Sequence, residues 1–422
     1  MFDCIIVGSG PAGSTAAYHL SKLGRSVLVL EKMSLPRHKP CGGGVSPAIA
    51  QWLDFDLTPA ISMKATKISY TWKMADAVEV DLESPMWMVQ RDVFDEFLLK
   101  QAQKIGAEVR DATEVIGIEF TNSVWLVKTT TEPVYARYLI GADGAGGPMA
   151  KWLGLKEPKL YVSASLETSA ITGDVLNFDF GTIKKGFIWS LPKADGYSLS
   201  IAAMRGDRPK NIKNMLADYA SHCGADVIVS DIREYPICLW DGDRQLHSQN
   251  ALLVGEAASL TDPLSGEGIR PAIFSGFKAA EAIDRALGGV GDALEKYTQI
   301  ISEEWGSDML WASRLAAAFY QFTGAAYRAG VKSPRASQVM SKILCGEVCY
   351  ADIAHRAIKK LMPGRRPFDY AQGTLQEEGR RPFDYAQGTL QEEGRRKKEE
   401  EPPPTPPKGG GKKGERRRGR EE

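Results

Sequence analysis

The chain has 422 residues, 43% of them hydrophobic and 25% charged, the balance of an ordinary globular protein with room for more than one domain. Lys and Arg together number 53, as do Asp and Glu, so no net charge draws the chain to nucleic acid or selects an acidic substrate. No apolar run approaches the roughly 20 residues of a spanning helix and no leader precedes the first strand, so any membrane contact is expected from the side.

Residues 4–7 are a short apolar run that reads as a buried strand. Gly8, Gly10 and Gly13 follow in G-x-G-x-x-G spacing, and the helix after them keeps Ala16, Ala17 and Leu20 on one side until Gly24 ends it. A second apolar strand, 27–30, runs into Glu31. Each part has a physical role. Gly8 permits the tight turn, Gly10 lets a pyrophosphate approach bare backbone, and Gly13 brings helix close to strand. The helix N-terminus offers unpaired N–H groups and a partial positive charge to phosphates. Glu31 is placed to accept hydrogen bonds from an adenosine ribose and to disfavour a 2′-phosphate. This is a dinucleotide-binding unit.

The stretch 36–44, Pro-Arg-His-Lys-Pro-Cys-Gly-Gly-Gly, reads as a loop laid against a ligand, because three successive glycines clear side chains where something else must fit. Residues 65–70 and 78–82 read as strands of a second sheet. Residues 91–104 form an amphipathic helix with Val93, Phe94, Phe97, Leu98 and Ala102 on its apolar side. Strands at 108–120, 124–130 and 134–140 follow, and the last runs into Gly141-Ala142-Asp143-Gly144, a carboxylate at the carboxyl edge where open α/β sheets bind ligands. From 161 to 239 the pattern turns to short strands with one helix at 213–221, an antiparallel layer suited to covering a site. A buried strand at 251–254 leads into Gly255-Glu256-Ala257-Ala258 and then Ser265-Gly266-Glu267-Gly268-Ile269, ahead of a long helix from 270 to 287. Its N-terminus points a dipole at the same edge. Helices carrying Trp305, Trp311, Phe319, Tyr320 and Phe322 are expected at 292–363, as core or as the lining of an apolar tunnel.

Six cysteines, Cys4, Cys41, Cys223, Cys238, Cys345 and Cys349, show neither C-x-x-C nor zinc-ligand spacing. Cys4 reads as a strand core residue, and Cys345 and Cys349 as small hydrophobes on one face of a helix. Reduced, cytoplasmic chemistry follows. The segment 365–379 recurs unchanged as 380–394, and Pro-, Gly- and charge-rich sequence completes the chain, a composition expected to stay disordered.

Three separated pieces thus converge: the G-x-G-x-x-G unit, Gly141-Ala142-Asp143-Gly144, and Gly255-Glu256-Ala257-Ala258 with its glycine-rich helix start. Together they resemble the p-hydroxybenzoate hydroxylase-like flavoprotein fold, and within it the geranylgeranyl reductase family, over residues 1–363. Lys39-Pro40-Cys41-Gly42-Gly43-Gly44 resembles the family's Cys-Gly loop beside the flavin. Gly186-Phe187-Ile188-Trp189-Ser190-Leu191-Pro192 is similar to its Y-x-W-x-F-P signature over the prenyl pocket, with Phe187 in place of the tyrosine and Leu191 of the phenylalanine.

The resemblance implies an α/β and α+β architecture. A Rossmann-like FAD-binding domain is built from 1–60, 91–155 and 250–290, an inserted antiparallel β-sheet substrate domain from 61–90 and 156–249, a helical region from 291–363, and a tail from 364–422. It implies that Gly8, Gly10, Gly13 and Glu31 hold the ADP part of FAD, and that Arg91 lies near the phosphates or ribityl chain. Cys41, Gly42 and Gly44 would border the isoalloxazine, Val115 the adenine, and Gly268 with Ile269 the pyrimidine edge, with Asp143 and Glu256 also at the cofactor. Glu256 departs from the aspartate of many relatives, keeping the acceptor but adding a methylene. Phe187, Trp189 and Pro192 would line the substrate pocket, and Cys41 is a positional candidate for the proton donor.

The activity implied is FAD-dependent reduction of isoprenoid C=C bonds in a prenyl lipid or prenylated pigment precursor, with peripheral membrane association. No second G-x-G-x-x-G follows a later strand, so the reductant is either a transiently docked NADPH or NADH, or an electron carrier such as reduced ferredoxin. The rival is a flavin-dependent monooxygenase or halogenase on the same fold. The W-x-W-x-I-P motif of tryptophan halogenases is absent from the sequence.

Overall fold

The computed structural model describes residues 1–361 apart from Asp207, with 357–361 given by backbone alone; the repetitive tail lies outside the described residues. The strands in chain order are β1 (Phe2–Val7), β2 (Val27–Leu30), β3 (Gly44–Val45), β4 (Met63–Trp72), β5 (Ala75–Met88), β6 (Glu108–Arg110), β7 (Val115–Thr121) and β8 (Val124–Thr129). They continue with β9 (Val134–Gly141), β10 (Leu160–Thr168), β11 (Val175–Phe180), β12 (Gly186–Lys193), β13 (Gly196–Ala203), β14 (Arg233–Cys238), β15 (His247–Ser248) and β16 (Ala251–Leu253). The α-helices are α1 (Pro11–Lys22), α2 (Arg91–Lys104), α3 (Met149–Trp152), α4 (Ile212–His222) and α5 (Ile269–Leu287), then α6 (Ala293–Ile301), α7 (Ser307–Gln321), α8 (Thr323–Ala326), α9 (Pro334–Leu344) and α10 (Tyr350–Leu361).

One sheet runs β15-β16-β9-β1-β2-β6, with β8 on β9 and β7 on β8. Its β16, β9, β1, β2 and β6 are parallel. Parallel strands are covered on both faces, which is why 4–7 and 27–30 are unbroken apolar runs. Cys4, Ile5, Ile6 and Leu28 are fully buried. The carboxyl ends of these strands form one edge, where the three glycine-rich segments emerge.

The second sheet runs β14-β10-β13-β12-β11-β4-β5-β3, antiparallel throughout except where β11 meets β4. One face packs Ile68, Tyr70, Phe180 and Phe187 against Tyr320 and Tyr327 of the C-terminal region. The other packs Ile188 and Leu199 against Leu216 of α4. A Rossmann-like unit, an antiparallel sheet and a helical C-terminal region make up the described chain, the fold class that the sequence implies.

Several local expectations are corrected. The strand expected at 108–120 is two strands, because Ala112 adopts a left-handed φ of 47° and the chain wraps the end of β2, with Thr113 N donating to Glu31 O at 2.8 Å. Val93 is 45% exposed, and the buried face of α2 instead includes Arg91, Asp95 and Leu99. Cys345 and Cys349 do not share a helix: Gly346, at φ 72°, ends α9 just after Cys345, and α10 begins at Tyr350. Phe322 belongs to neither core nor tunnel, standing 68% exposed at the break between α7 and α8.

Candidate cofactor and active site

A cavity of about 610 Å³ opens at the carboxyl edge of the parallel sheet and continues beneath the second sheet. Two helix N-termini meet in it, that of α1 at Gly10–Pro11 and that of α5 at Gly268–Ile269. Both bring partial positive charge and unpaired N–H groups to one space. The glycines are required sterically. A Cβ on Gly8, which sits at φ 107°, would run into Ala142 O, and one on Gly13 into Gly8 O. At Gly10 the nearest atom to a Cβ is Arg37 Nη2 at 3.6 Å, so its backbone faces the cavity bare.

Glu31 directly follows β2, inside this cavity, and is buried. Its Oε2 accepts from Ser9 N at 3.1 Å, Ser9 Oγ at 2.8 Å and Arg37 Nε at 3.2 Å, and its Oε1 from Met33 N at 3.1 Å. Oε1 therefore keeps capacity for a further donor such as a ribose hydroxyl. Burial favours the neutral acid, but Arg37 and the hydrogen bonds from Ser9 and Met33 outweigh it and hold the carboxyl below the usual range. Arg37 also pairs with Asp95 at 3.3 Å, and Asp95 takes a bidentate grip from Arg91, Nε at 2.7 Å and Nη2 at 2.8 Å. Burial works against the Arg91 charge, yet Asp95 and Cys41 beside it hold the guanidinium above its usual range.

The 36–44 loop lies across the cavity. Cys41, Gly42 and Gly44 line it, as do Leu176, Phe178, Trp189 and Leu191 from the second sheet. Cys41 Sγ accepts Gly43 N–H at 3.3 Å, and Cys41 O accepts Ser198 Oγ at 3.2 Å. A Cβ on Gly42 would stand 2.7 Å from Trp189 Nε1, so the glycine lets loop and aromatic strand touch. Strand alternation sorts the signature. Phe187, Trp189 and Leu191 share one face of β12, Phe187 packing beside Trp189 with ring centroids 5.2 Å apart, whereas Pro192 falls on the opposite face. Trp189 and Leu191 line the cavity, and Phe187 is buried in the core beside them.

Asp143, Val115, Glu256, Gly268 and Ile269 all line the same cavity. Asp143 Oδ2 accepts Met149 N at 2.8 Å, while its buried Oδ1 finds no hydrogen-bond partner among the described residues. That is an unmet polar demand at the sheet edge. Burial pushes the Asp143 carboxyl up to about 6, against the Met149 hydrogen bond and the charge of Lys32. The longer side chain of Glu256 makes two contacts at once, Oε2 to Lys39 Nζ at 3.1 Å and Oε1 to Cys238 N at 3.2 Å. Bare glycine backbone, two helix N-termini, an acid with spare acceptor capacity and this unmet polar atom fit a dinucleotide cofactor.

Gly13 alone among the expected cofactor residues stands behind the cavity wall, where it serves helix packing. Sequence reasoning missed Asp95, Lys39 and Arg37 as site residues. Asp95 carried a readable signal, since it lies one helical turn from Arg91. Arg37 and Lys39 lie within the 36–44 loop, whose signal is its glycines, and Tyr235 and Ile237, which also line the cavity, carry no sequence signal at all.

A family model described as an FAD binding domain matches residues 1–302, and with this fold it makes the chain an FAD-dependent oxidoreductase. A protein named geranylgeranyl diphosphate reductase from Rhodobacter capsulatus is 30% identical over 303 residues, 67% of this chain and 74% of that one. The chain belongs to the geranylgeranyl reductase family of these flavoproteins. A solved structure of a geranylgeranyl bacteriochlorophyll reductase-like protein from Thermoplasma acidophilum superposes with a TM-score of 0.70 at 22% identity, covering 86% of this chain and 97% of that one. A flavin-dependent brominase shares the fold with a TM-score of 0.65 at 18% identity, covering 85% of this chain and 98% of that one.

Proposed function

We propose that this protein reduces isoprenoid C=C bonds of a geranylgeranyl group carried by a lipid or a pigment precursor. The observation that carries the reading is continuity: one cavity passes from Gly8 and Glu31, through the Cys41–Gly44 loop, to an apolar wall of Leu176, Phe178, Trp189 and Leu191. Gly8, Gly10 and the N-terminus of α1 would hold the pyrophosphate, Glu31 the ribose, and Val115 the adenine. Arg91, Asp143 and Glu256 would hold the middle of the cofactor, with Cys41, Gly42, Gly44, Gly268 and Ile269 around its ring. Bound and reduced, FAD supplies the hydride. Unactivated alkenes are poor hydride acceptors, so Trp189 and its neighbours must exclude water and fix the chain in register. The helix α5 N-terminus favours negative charge at the ring edge. Cys41 is assigned the proton, carried at Sγ. The reductant belongs to the NADPH, NADH or ferredoxin class, and the apolar substrate calls for peripheral membrane contact. No described helix is long and apolar enough to cross a membrane.

The test uses the full chain loaded with FAD, reduced anaerobically by dithionite and mixed with geranylgeranyl diphosphate or a geranylgeranylated lipid. Mass spectrometry should show stepwise gain of hydrogen pairs, slowed in C41A with FAD still bound. No gain without oxygen, but oxygen insertion once air and NADPH are admitted, would move the protein to the monooxygenases. Lipid turnover that is unchanged by detergent or vesicles would count against membrane contact.

A further inference from the structure

The strand that carries the aromatic signature also carries Lys193, on the same face as Phe187, Trp189 and Leu191. Lys193 is 7% exposed, and its Nζ donates to Val89 O at 2.8 Å. Val89 N in turn donates to Gly43 O at 2.9 Å. A Cβ on Gly43 would collide with both Val89 O and Lys193 Nζ, so the ammonium group lies directly behind the Cys41–Gly44 loop, whose other side lines the cavity. Buried lysines are rare because desolvation opposes their charge, and one kept in place needs a reason.

We propose that Lys193 is a positioning residue for the flavin: it braces the Cys-Gly loop against the aromatic strand and places a fixed positive charge behind the loop, favouring bound FAD in its reduced form. The charged and titratable groups near it are Glu167 on β10, Asp195 in the turn after β12, Arg91 on α2, and His38 and Cys41 on the loop. Burial lowers the lysine below its usual range, while Glu167 and Cys41 pull the other way. Glu167 and Asp195 oppose the burial and favour the ammonium form, while Arg91 works against it.

Only FAD needs to be bound for this effect, and the substrate need not be known. Anaerobic titration of the FAD-loaded chain against a reference dye reads the balance of oxidised and reduced cofactor. Lys193→Met should move that balance about tenfold toward oxidised, the effect of one unit charge acting over about 12 Å at an effective dielectric of about 20. Lys193→Arg should restore it. A K193M protein with FAD bound and an unmoved balance overturns the proposal. Should K193M fail to hold FAD, Lys193→Gln, which keeps an N–H donor for Val89 O without the charge, decides: the balance should move toward oxidised, and no movement overturns the proposal. If prenyl substrates stay unreduced while these shifts appear, the proposed function fails and this inference stands. The converse loses only the inference.

Discussion

At the scale of single residues the site is a set of charges held against burial. Asp143 is the one whose consequence is easiest to read. Its folded-state acid sits near 6, above the ordinary 3.8, so the folded chain binds that proton more tightly than the unfolded chain does. The stability this contributes is complete below 3.8 and is lost as pH rises through about 6. Asp143→Asn keeps the acceptor for Met149 N and removes the ionisation. Urea denaturation without added FAD should show the variant gaining on wild type at about pH 7 and not at about pH 4. An equal offset at both values would mean that the carboxyl does not titrate in that window. Glu31, held in the opposite direction by Arg37 and Ser9, contributes in the opposite sense: its stability is present above the ordinary carboxylate range and is lost in acid.

At the scale of elements, α1 is seated by an absence. Gly13→Ala puts a methyl group into the carbonyl of Gly8, which is backbone and cannot swing aside, so the helix must lift from β1. Overpacking of this kind costs about 1–3 kcal/mol. The urea midpoint should fall by that cost divided by the slope, with the slope itself unchanged, and FAD binding should weaken, because α1 carries the phosphate-facing N-terminus. Unchanged FAD affinity in a destabilised variant would separate helix seating from cofactor binding. This element was legible in the sequence because its chemistry is local: strand, glycine turn, helix and acid lie within one short stretch, and α2 likewise follows from its own period. What was not legible depends on partners distant in sequence. The break at 111–114 exists because the chain wraps Glu31. The Arg37–Asp95 pair joins a loop to a helix. Pro192 shares the signature with Trp189, but the two-residue period of the strand turns it to the other face. Cys345 and Cys349 are four apart, the spacing of one helix face, but Gly346 ends the helix between them.

At the scale of the molecule, the cavity draws its walls from both sheets: Gly8 and Glu31 from the parallel one, Trp189 and Leu191 from the other, with the Cys41–Gly44 loop between. A cofactor in contact with all of these is a tie across the structure as well as a reagent. Binding to the folded state alone stabilises by about 2.7 kcal/mol at about a hundredfold excess over Kd. That stabilisation should appear as slowed hydrogen exchange, and its distribution tells which walls the cofactor reaches. Protection on adding FAD is expected in β1 and α1, which the dinucleotide fingerprint alone would require, and equally in β12 and the 36–44 loop, which only an extended cofactor lying under the aromatic strand requires. Protection confined to β1 and α1, with β12 unchanged, would place the ring away from Trp189 and remove the geometric basis for a prenyl chain held against it.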